Sequence, residues 1–137
     1  MPFTVLDSHA LLALLRNEPA ADKVEHLLTV AANREQPVLM TEVNYAEVQY
    51  IVRRKDGDAA WAKIASDLHA APIEFYPADR TLSDLAADFK ARFSMSLADA
   101  FAAALAKELN TPLVTGDPEF KPLAGDIKIQ WLIQHQI

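Results

Sequence analysis

The chain of 137 residues is 51% hydrophobic and 23% charged, which predicts one soluble, globular domain over residues 1–137. It has no cysteine, no apolar run long enough to span a membrane and no signal-peptide pattern, so disulfides and thiolate metal sites are excluded and the cytoplasm is favoured. The net charge of −6 argues against tight metal-free binding of nucleic acid over a broad surface, although divalent cations in an acidic site would offset it.

The first predicted strand, residues 3–6, is followed at once by Asp7 and then by a helical run from about residue 9 to Leu15. Branched and aromatic side chains give this strand the composition of a buried one. An acid between such a strand and a helix lies at the carboxyl edge of a sheet, where open α/β proteins bind ligands. Asp7 by itself is equally well explained as a helix N-cap.

Helices and short strands alternate along the rest of the chain, which predicts a parallel sheet covered by helices on both faces. Thr41 is the expected N-cap of the third helix, and Gly57 is expected to end that helix. The later helices are predicted at residues 20–34, 42–55, 59–70, 77–91 and 97–109. The later strands are predicted at residues 38–40, 73–76 and 113–115 and in the alternating segment 127–131.

Three later acids, Glu47, Asp99 and Asp117, are predicted to converge on Asp7 and to hold a divalent metal. Apolar neighbours on the third helix predict that Glu47 points toward the core; they are Val43, Ala46, Tyr50 and Ile51. An unpaired buried carboxylate is costly, so Glu47 needs a metal, a proton or a cation. The alternative is a structural salt bridge to a distant Lys or Arg.

Asp99 and Asp117 also have structural explanations. Ser96 and Asp99 fit a capping box, although this box prefers the longer Glu or Gln at its last position. Asp117 follows the strand 113–115 and fits an Asx turn. If the strands before Asp7 and Asp117 are neighbours, about 5 Å apart, both carboxylates reach one ion. Thr115 and Ser8 flank the same place and are candidates to bind a metal-bound water.

The donor set predicts the metal. Several carboxylate oxygens without His or Cys select magnesium or manganese over zinc. The four histidines show no paired ligand spacing and are interpreted as structural or surface residues, with His9 set apart because it lies close to Asp7. No glycine-rich phosphate loop is present in the sequence.

Four segments occur in an order that is familiar from a known family. They read VLDSHALLALL (5–15), NYAEV (44–48), SLADAFAAA (96–104) and VTGDPEF (114–120). Together they resemble the PIN-domain ribonucleases, most closely the VapC toxins of bacterial toxin–antitoxin pairs. The likeness spans nearly the whole chain, and it depends on four acids that stand in the matching order and contexts.

The resemblance implies a single PIN-like domain, a three-layer α/β/α sandwich with a parallel sheet of strand order 3-2-1-4-5. It implies RNA cleavage that depends on magnesium or manganese, a homodimer, and inhibition by a cognate antitoxin protein. It identifies the acidic quartet as Asp7, Glu47, Asp99 and Asp117, with Thr115 as a polar accessory. Glu119 stands where an acid is common in the family, and its role stays open.

The leading hypothesis is a metal-dependent endoribonuclease acting as the toxin of such a pair, in which metal-activated water attacks the phosphodiester. The first alternative is a phosphatase or phosphotransfer domain with Asp7 as the nucleophile. Phosphatases of the haloacid dehalogenase type usually carry a second Asp two residues later, where this chain has His9. The second alternative is a non-catalytic binding module with the same fold.

We expect an antitoxin that is both basic and apolar, since the acidic site offers an anchor for an Arg or Lys side chain. The first two helices carry many apolar residues, which either all belong to the core or partly form a groove for an amphipathic segment: Leu11, Leu12, Leu14, Leu15, Val24, Leu27 and Leu28. The residues predicted to contact RNA phosphates are Arg16, Arg53, Arg54, Lys90, Arg92 and Lys121.

Overall fold

A five-stranded parallel sheet forms the centre of the structure, a computed structural model that describes residues 3–132. The strands are β1 (Val5–Leu6), β2 (Val38–Thr41), β3 (Ile73–Tyr76), β4 (Leu113–Thr115) and β5 (Ile129–Trp131). Their order is β3-β2-β1-β4-β5, and all four pairings are parallel. The predicted sheet, including its strand order, is therefore confirmed, and the strands that precede Asp7 and Asp117 are neighbours.

In the described part of the chain, six α-helices and one 3₁₀ helix connect the strands. They are α1 (Ser8–Leu15), α2 (Ala21–Arg34), α3 (Glu42–Asp56), α4 (Asp58–Ala70), α5 (Arg80–Arg92), α6 (Leu97–Leu109) and the 3₁₀ helix (Pro118–Leu123). Val5 packs with α5 and α6 on one face of the sheet, whereas Leu6 packs with α1 and α2 on the other. This alternation gives the predicted α/β/α sandwich. Within residues 3–132, none of the helices combines the length and the apolar content that a membrane span requires.

Two segments differ from the prediction, one around the start of β1 and one before β5. Strand β1 has only two residues in the sheet, and Phe3, predicted as buried, is 42% exposed. The chain before β1 is held instead by its backbone, because the Thr111 hydroxyl donates a hydrogen bond to the Phe3 carbonyl. The segment before β5 contains the 3₁₀ helix, which was not predicted although Asp117 followed by Pro118 is a good helix start.

Helix α6 lies close against the sheet, as its small side chains predict. Its central alanines, from Ala100 to Ala106, are almost completely buried, and the helix contacts β1, β2 and β4. Alanine side chains allow a close approach of helix and sheet, so the first turn of α6 is brought to the carboxyl edge near the end of β1.

The apolar residues of α1 and α2 belong to the core. None of the seven residues in question is exposed: Leu11 and Val24 are fully buried, and the other leucines pack against buried clusters. The core explanation therefore accounts for most of their surface, while the half-buried Leu27 also lines an apolar cleft together with Val30 and Ala31 of α2.

Candidate metal and catalytic site

Asp7 lies directly after β1 and caps α1. Its Oδ1 accepts a hydrogen bond from the Ala10 backbone N–H at 2.8 Å, and its Oδ2 accepts one from Thr115 Oγ1 at 2.5 Å. The side chain is fully buried. The N-cap explanation and the site explanation of Asp7 therefore both apply, one to each carboxylate oxygen.

Burial raises the pKa of Asp7 from 3.8 to about 7. The hydrogen bonds from Thr115 and Ala10 oppose this rise, while the charges of Asp99 and Asp117 add to it. The hydrogen bond from Thr115 to Asp7, together with the close approach of Asp99 to Asp117, brings the ends of β1 and β4 and the start of α6 to one place.

Asp99 lies in the first turn of α6. The Ser96 hydroxyl caps this helix and accepts a hydrogen bond from the Asp99 N–H at 3.1 Å, as the capping-box pattern predicts. Partial burial, followed by the Asp117 charge, raises the pKa of Asp99 from 3.8 to about 6. A hydrogen bond from Ser96 opposes the rise, and the charges of Glu47 and Glu119 add to it.

Asp117 and Glu119 complete the group at the end of β4. Asp117 Oδ1 accepts a hydrogen bond from the Glu119 N–H at 2.9 Å and so caps the 3₁₀ helix. Asp99, Asp117 and Glu119 each offer one carboxylate oxygen, and these oxygens lie within 4.8 Å of one another. Glu119, whose role the sequence leaves open, is thus part of the site. We refer to Asp7, Glu47, Asp99, Asp117 and Glu119 together as the acidic cluster.

The Thr115 hydroxyl joins the two sides of the acidic cluster. It donates to Asp7 Oδ2 at 2.5 Å and accepts from the Asp117 backbone N–H at 3.0 Å. Thr115 is fully buried at the end of β4. Its hydroxyl is therefore engaged with the protein, where it fixes the position of Asp7 relative to the turn that carries Asp117.

The orientation predicted for Glu47 was wrong. The buried face of α3 is formed by Asn44, Val48 and Val52, whereas Ala46 is exposed and Tyr50 is 47% exposed. Glu47 lies partly exposed beside that face, although its predicted neighbour Val43 is half-buried and packs against the core. Its charge contributes to the raised pKa of Asp99, but its carboxylate is not part of the group whose oxygens lie within 4.8 Å of one another, which is formed by Asp99, Asp117 and Glu119.

A buried amide, Asn44, connects the elements that carry the acids, and sequence reasoning missed it. Its Nδ2 donates to Ser8 Oγ at 3.0 Å and to the Ala98 carbonyl at 3.2 Å. Its Oδ1 accepts from the Thr41 hydroxyl. The first turns of α1, α3 and α6 are thereby held together. The available signal was the spacing of Asn44, Val48 and Val52, which places a polar side chain on a buried helical face.

The same network accounts for Ser8, which was predicted to bind a metal-bound water. Its Oγ accepts from Asn44 Nδ2 and donates to the Asn44 carbonyl at 3.3 Å, and the side chain is buried. The hydroxyl is therefore directed to α3 and acts in the support beneath the acidic cluster.

The predicted phosphate-binding residues are mostly engaged elsewhere. Arg53 pairs with Asp58 at 2.8 Å, and the Arg54 guanidinium lies 5.1 Å from the centre of the Tyr50 ring. Arg92 pairs with Asp88 at 2.9 Å. Lys90 donates to the Met95 carbonyl at 2.8 Å.

Two further predicted phosphate contacts differ in their distance from the acids. Arg16 lies at the far end of α1 from Asp7, about 12 Å along a helix of eight residues. Lys121 lies in the 3₁₀ helix that Asp117 caps, so among the predicted cations it is the closest in sequence to Asp117 and Glu119.

No protein cation neutralises the acidic cluster within residues 3–132, because none of the ion pairs found there includes one of its carboxylates. All of its charged donors are carboxylate oxygens. Such a set fits a hard divalent cation, because magnesium and manganese prefer oxygen ligands.

The sequence as a whole assigns the chain to a protein family. A model of the PIN domain matches residues 4–126 of the sequence, and the chain belongs to the PIN-domain family. No curated protein matches the sequence.

Solved structures show the same fold. A chain of DNA-bound VapBC from Salmonella typhimurium is 13% identical with a TM-score of 0.76, over 97% of this chain and 100% of that chain. A chain of promoter-bound VapBC2 from Rickettsia felis is 16% identical with a TM-score of 0.73, over 93% and 97%. The sarcin-ricin loop cleaving toxin VapC20 from Mycobacterium tuberculosis is 16% identical with a TM-score of 0.70, over 93% and 98%.

The raised pKa values predict how stability depends on pH in the metal-free protein. The pKa is raised to about 7 for Asp7 and to about 6 for Asp99, so the native state binds more protons than the unfolded chain above about pH 4. The free energy of unfolding should therefore fall as the pH rises from about 4 to about 7. Asp7→Asn should remove most of this fall. At about pH 8 the free energy of unfolding of this variant should exceed that of wild type by up to about 4 kcal/mol.

Urea denaturation in EDTA at several pH values measures this difference. Asp84→Asn, at an exposed position on α5, is the matched control and should follow the wild-type curve. An Asp7→Asn curve parallel to that of wild type across the whole range would contradict the assignment of the pH dependence to Asp7.

The Asn44 network predicts a second effect on stability. Asn44→Ala should lower the free energy of unfolding by about 2–4 kcal/mol, because Ser8 and the Ala98 carbonyl each lose a buried hydrogen-bond partner. Gln49→Ala, a truncated amide at a less buried position of the same helix, should change it by less than about 0.5 kcal/mol. Equal losses in the two variants, measured by urea denaturation, would show that the network adds nothing specific.

Proposed function

We propose that this protein is an endoribonuclease that depends on magnesium or manganese, and that it is the toxin of a toxin–antitoxin pair. The observation that carries the proposal is the acidic cluster, held at the carboxyl edge of a PIN-domain sheet with no protein cation to neutralise it among the described residues. RNA as the substrate is supported by the family and by the likeness in fold to VapC20.

The proposed ligands are the predicted quartet, Asp7, Glu47, Asp99 and Asp117, joined by Glu119. The close approach of Asp99, Asp117 and Glu119 supports a shared ion between them. When bound, a divalent ion would neutralise the crowded carboxylates, lower the pKa of a water and stabilise charge that develops on the phosphate.

The chain's own residues hold this arrangement before an ion enters. The Ala10 N–H and the Thr115 hydroxyl fix both oxygens of Asp7, and the Glu119 N–H fixes Oδ1 of Asp117. Each contact leaves lone pairs on the carboxylate free for a cation, since an ionised carboxylate accepts about four hydrogen bonds. Preorganised donors need little rearrangement on binding, which favours both affinity and catalysis.

The alternative in which Asp7 is a phosphotransfer nucleophile is disfavoured. Asp7 is fully buried, and each of its oxygens already accepts a hydrogen bond. A nucleophile must reach the phosphorus in line with the leaving group, and that approach needs more open surface around the carboxylate than contact with a single metal ion does.

RNA phosphates would approach the acidic cluster past cations of the predicted set. Lys121 is the nearest of the proposed contacts along the chain. The ion pairs of Arg53 and Arg92 are partly exposed, so they contribute little stability and a phosphate can replace the carboxylate partner. Arg16 and Arg54 also remain proposed contacts to RNA phosphates, because their side chains are positively charged.

The proposed partner is an antitoxin protein with a basic side chain that enters the acidic cluster. VapBC structures from Salmonella typhimurium and Rickettsia felis contain chains with the same fold as this protein, which supports a partner of this kind. A guanidinium can bind two carboxylate oxygens at once, so it would compete directly with metal. The proposed setting is the cytoplasm, with the toxin as a homodimer.

Removal of single carboxylates tests the catalytic proposal. Asp7→Asn and Asp99→Asn should each reduce manganese-dependent cleavage of a mixed RNA substrate by about 100-fold or more, because the ion loses a ligand and the transition state loses charge stabilisation. Glu47→Gln should also lose manganese-dependent cleavage of RNA. Circular dichroism should be unchanged in all three variants, and Asp84→Asn should cleave like wild type. Wild-type cleavage in both aspartate variants would show that neither is essential.

Co-purification tests the antitoxin proposal. The tagged protein, expressed together with its neighbouring genes, should retain a basic protein partner, and added manganese should weaken the complex because both compete for the acidic cluster. Wild type should inhibit growth when expressed without its neighbours, whereas Asp99→Asn should not. Recovery of the protein alone, harmless without any neighbour and inactive on RNA with manganese, would contradict the toxin proposal.

A further inference from the structure

The His9 ring lies on the side of Gly116 where a side chain would stand. A Cβ atom built on Gly116 would lie 2.8 Å from His9 Cε1 and 3.3 Å from His9 Nδ1. Carbon atoms in contact prefer about 3.5–4.0 Å, so a methyl group cannot be placed there while the ring stays where it is. The imidazole therefore occupies the space that a side chain at position 116 would need.

The backbone gives no other reason for glycine at this position. Among the described glycines, only Gly57 has a positive φ, so the conformation of Gly116 is open to an L-residue. Gly125, in contrast, has no atom within 4 Å of a built Cβ. The requirement for glycine at 116 therefore comes from the ring of His9.

The ring of His9 is half-buried, and in the described part of the chain it is not positioned by a hydrogen bond to its Nδ1. His9 Nδ1 is buried and has no hydrogen-bond partner among residues 3–132. Replacement of this nitrogen by carbon would consequently remove no bond within that part of the chain. The ring acts on its surroundings through its contact with Gly116.

The contact lies between two turns that carry acids. His9 is two residues after Asp7, and Gly116 directly precedes Asp117. The hydrogen bond from Thr115 to Asp7 draws these two turns together at 2.5 Å. The ring of His9 packed on Gly116 limits how closely they approach. The hydrogen bond pulls the two turns together and the ring limits their approach. The two contacts together therefore set the separation between the turns.

We propose that His9 is a positioning residue whose ring acts as a spacer between the turn after β1 and the turn after β4. The spacer sets the separation of Asp7 and Asp117, and with it the fit of the acidic cluster to a divalent cation. This inference rests on the proposed function for the identity of the cation. It assigns the effect to the shape of the ring, with no ligand or proton-transfer role for its nitrogens.

A double-mutant cycle on the full chain tests the spacer, with the manganese dissociation constant measured by calorimetry. Gly116→Ala should weaken manganese binding by about 10-fold or more, a typical effect for a residue that positions ligands. In a protein that already carries His9→Ala, Gly116→Ala should change the manganese dissociation constant by less than about twofold, because the space for the added methyl group is then free. The matched control, Gly125→Ala, should bind like wild type.

A second substitution separates shape from chemistry. His9→Phe keeps a flat ring without nitrogens and should bind manganese within about threefold of wild type, whereas His9→Ala should bind it about 10-fold more weakly. If His9→Phe is as weak as His9→Ala, the nitrogens are required and the spacer is wrong. If Gly116→Ala is equally harmful with and without the His9 ring, the contact is not the cause and the spacer is also wrong.

Melting temperatures of the metal-free proteins keep the test independent of the proposed function. Gly116→Ala should melt lower than wild type, because the added methyl group meets the His9 ring, and His9→Ala should remove that penalty in the double variant. A double variant that is as destabilised as the sum of both changes would overturn the spacer. If wild type binds no manganese, the metal assignment in the proposed function fails, and the melting cycle still decides whether the ring and Gly116 are coupled.

Discussion

The hydrogen bonds of the Asn44 side chain are the contacts on which the arrangement of the acids depends. This buried amide is satisfied only when the first turns of α1, α3 and α6 meet, since its partners lie on those helices and at the end of β2. Ser8 and Ala98 each adjoin an acid in the chain. All of these partners are uncharged, so neither a change of pH nor the loss of metal removes the bonds.

This neutral scaffold supports an arrangement that is electrostatically unfavourable. Burial and mutual repulsion raise the pKa of Asp7 and of Asp99, which means that the metal-free site retains protons that free carboxylates would release. Protons and a divalent cation therefore compete for the same oxygens. Functional sites commonly reduce stability in this way, and the surrounding packing, here the alanine-rich α6 against the sheet, compensates.

Local patterns predicted most of the fold but not the contacts between distant segments. Helix α6 and strands β3 and β4 have the predicted bounds, and the strand order is as implied by the family resemblance. Asp7, Asp99 and Asp117 were recognisable because each stands at the end of a strand or the start of a helix. The orientation of Glu47 was wrong, because α3 carries apolar side chains on more than one face and only the tertiary packing decides which face is buried. The roles of Asn44 and of Gly116 depend on partners far away in sequence, which no local pattern encodes.

The order of assembly follows from the central position of β1. This strand is made first, yet one of its neighbours, β4, begins more than 100 residues later, and the bond between Asp7 and Thr115 spans 108 residues. A ribosome that stops early releases a chain without Thr115, Asp117 and Glu119, in which β1 has an unpaired edge. Such a fragment lacks two of the five acids of the acidic cluster, and it lacks the Thr115 hydroxyl that positions Asp7. If the protein is a toxin, incomplete synthesis yields harmless chains, and activity arises only after nearly all of the protein has been translated.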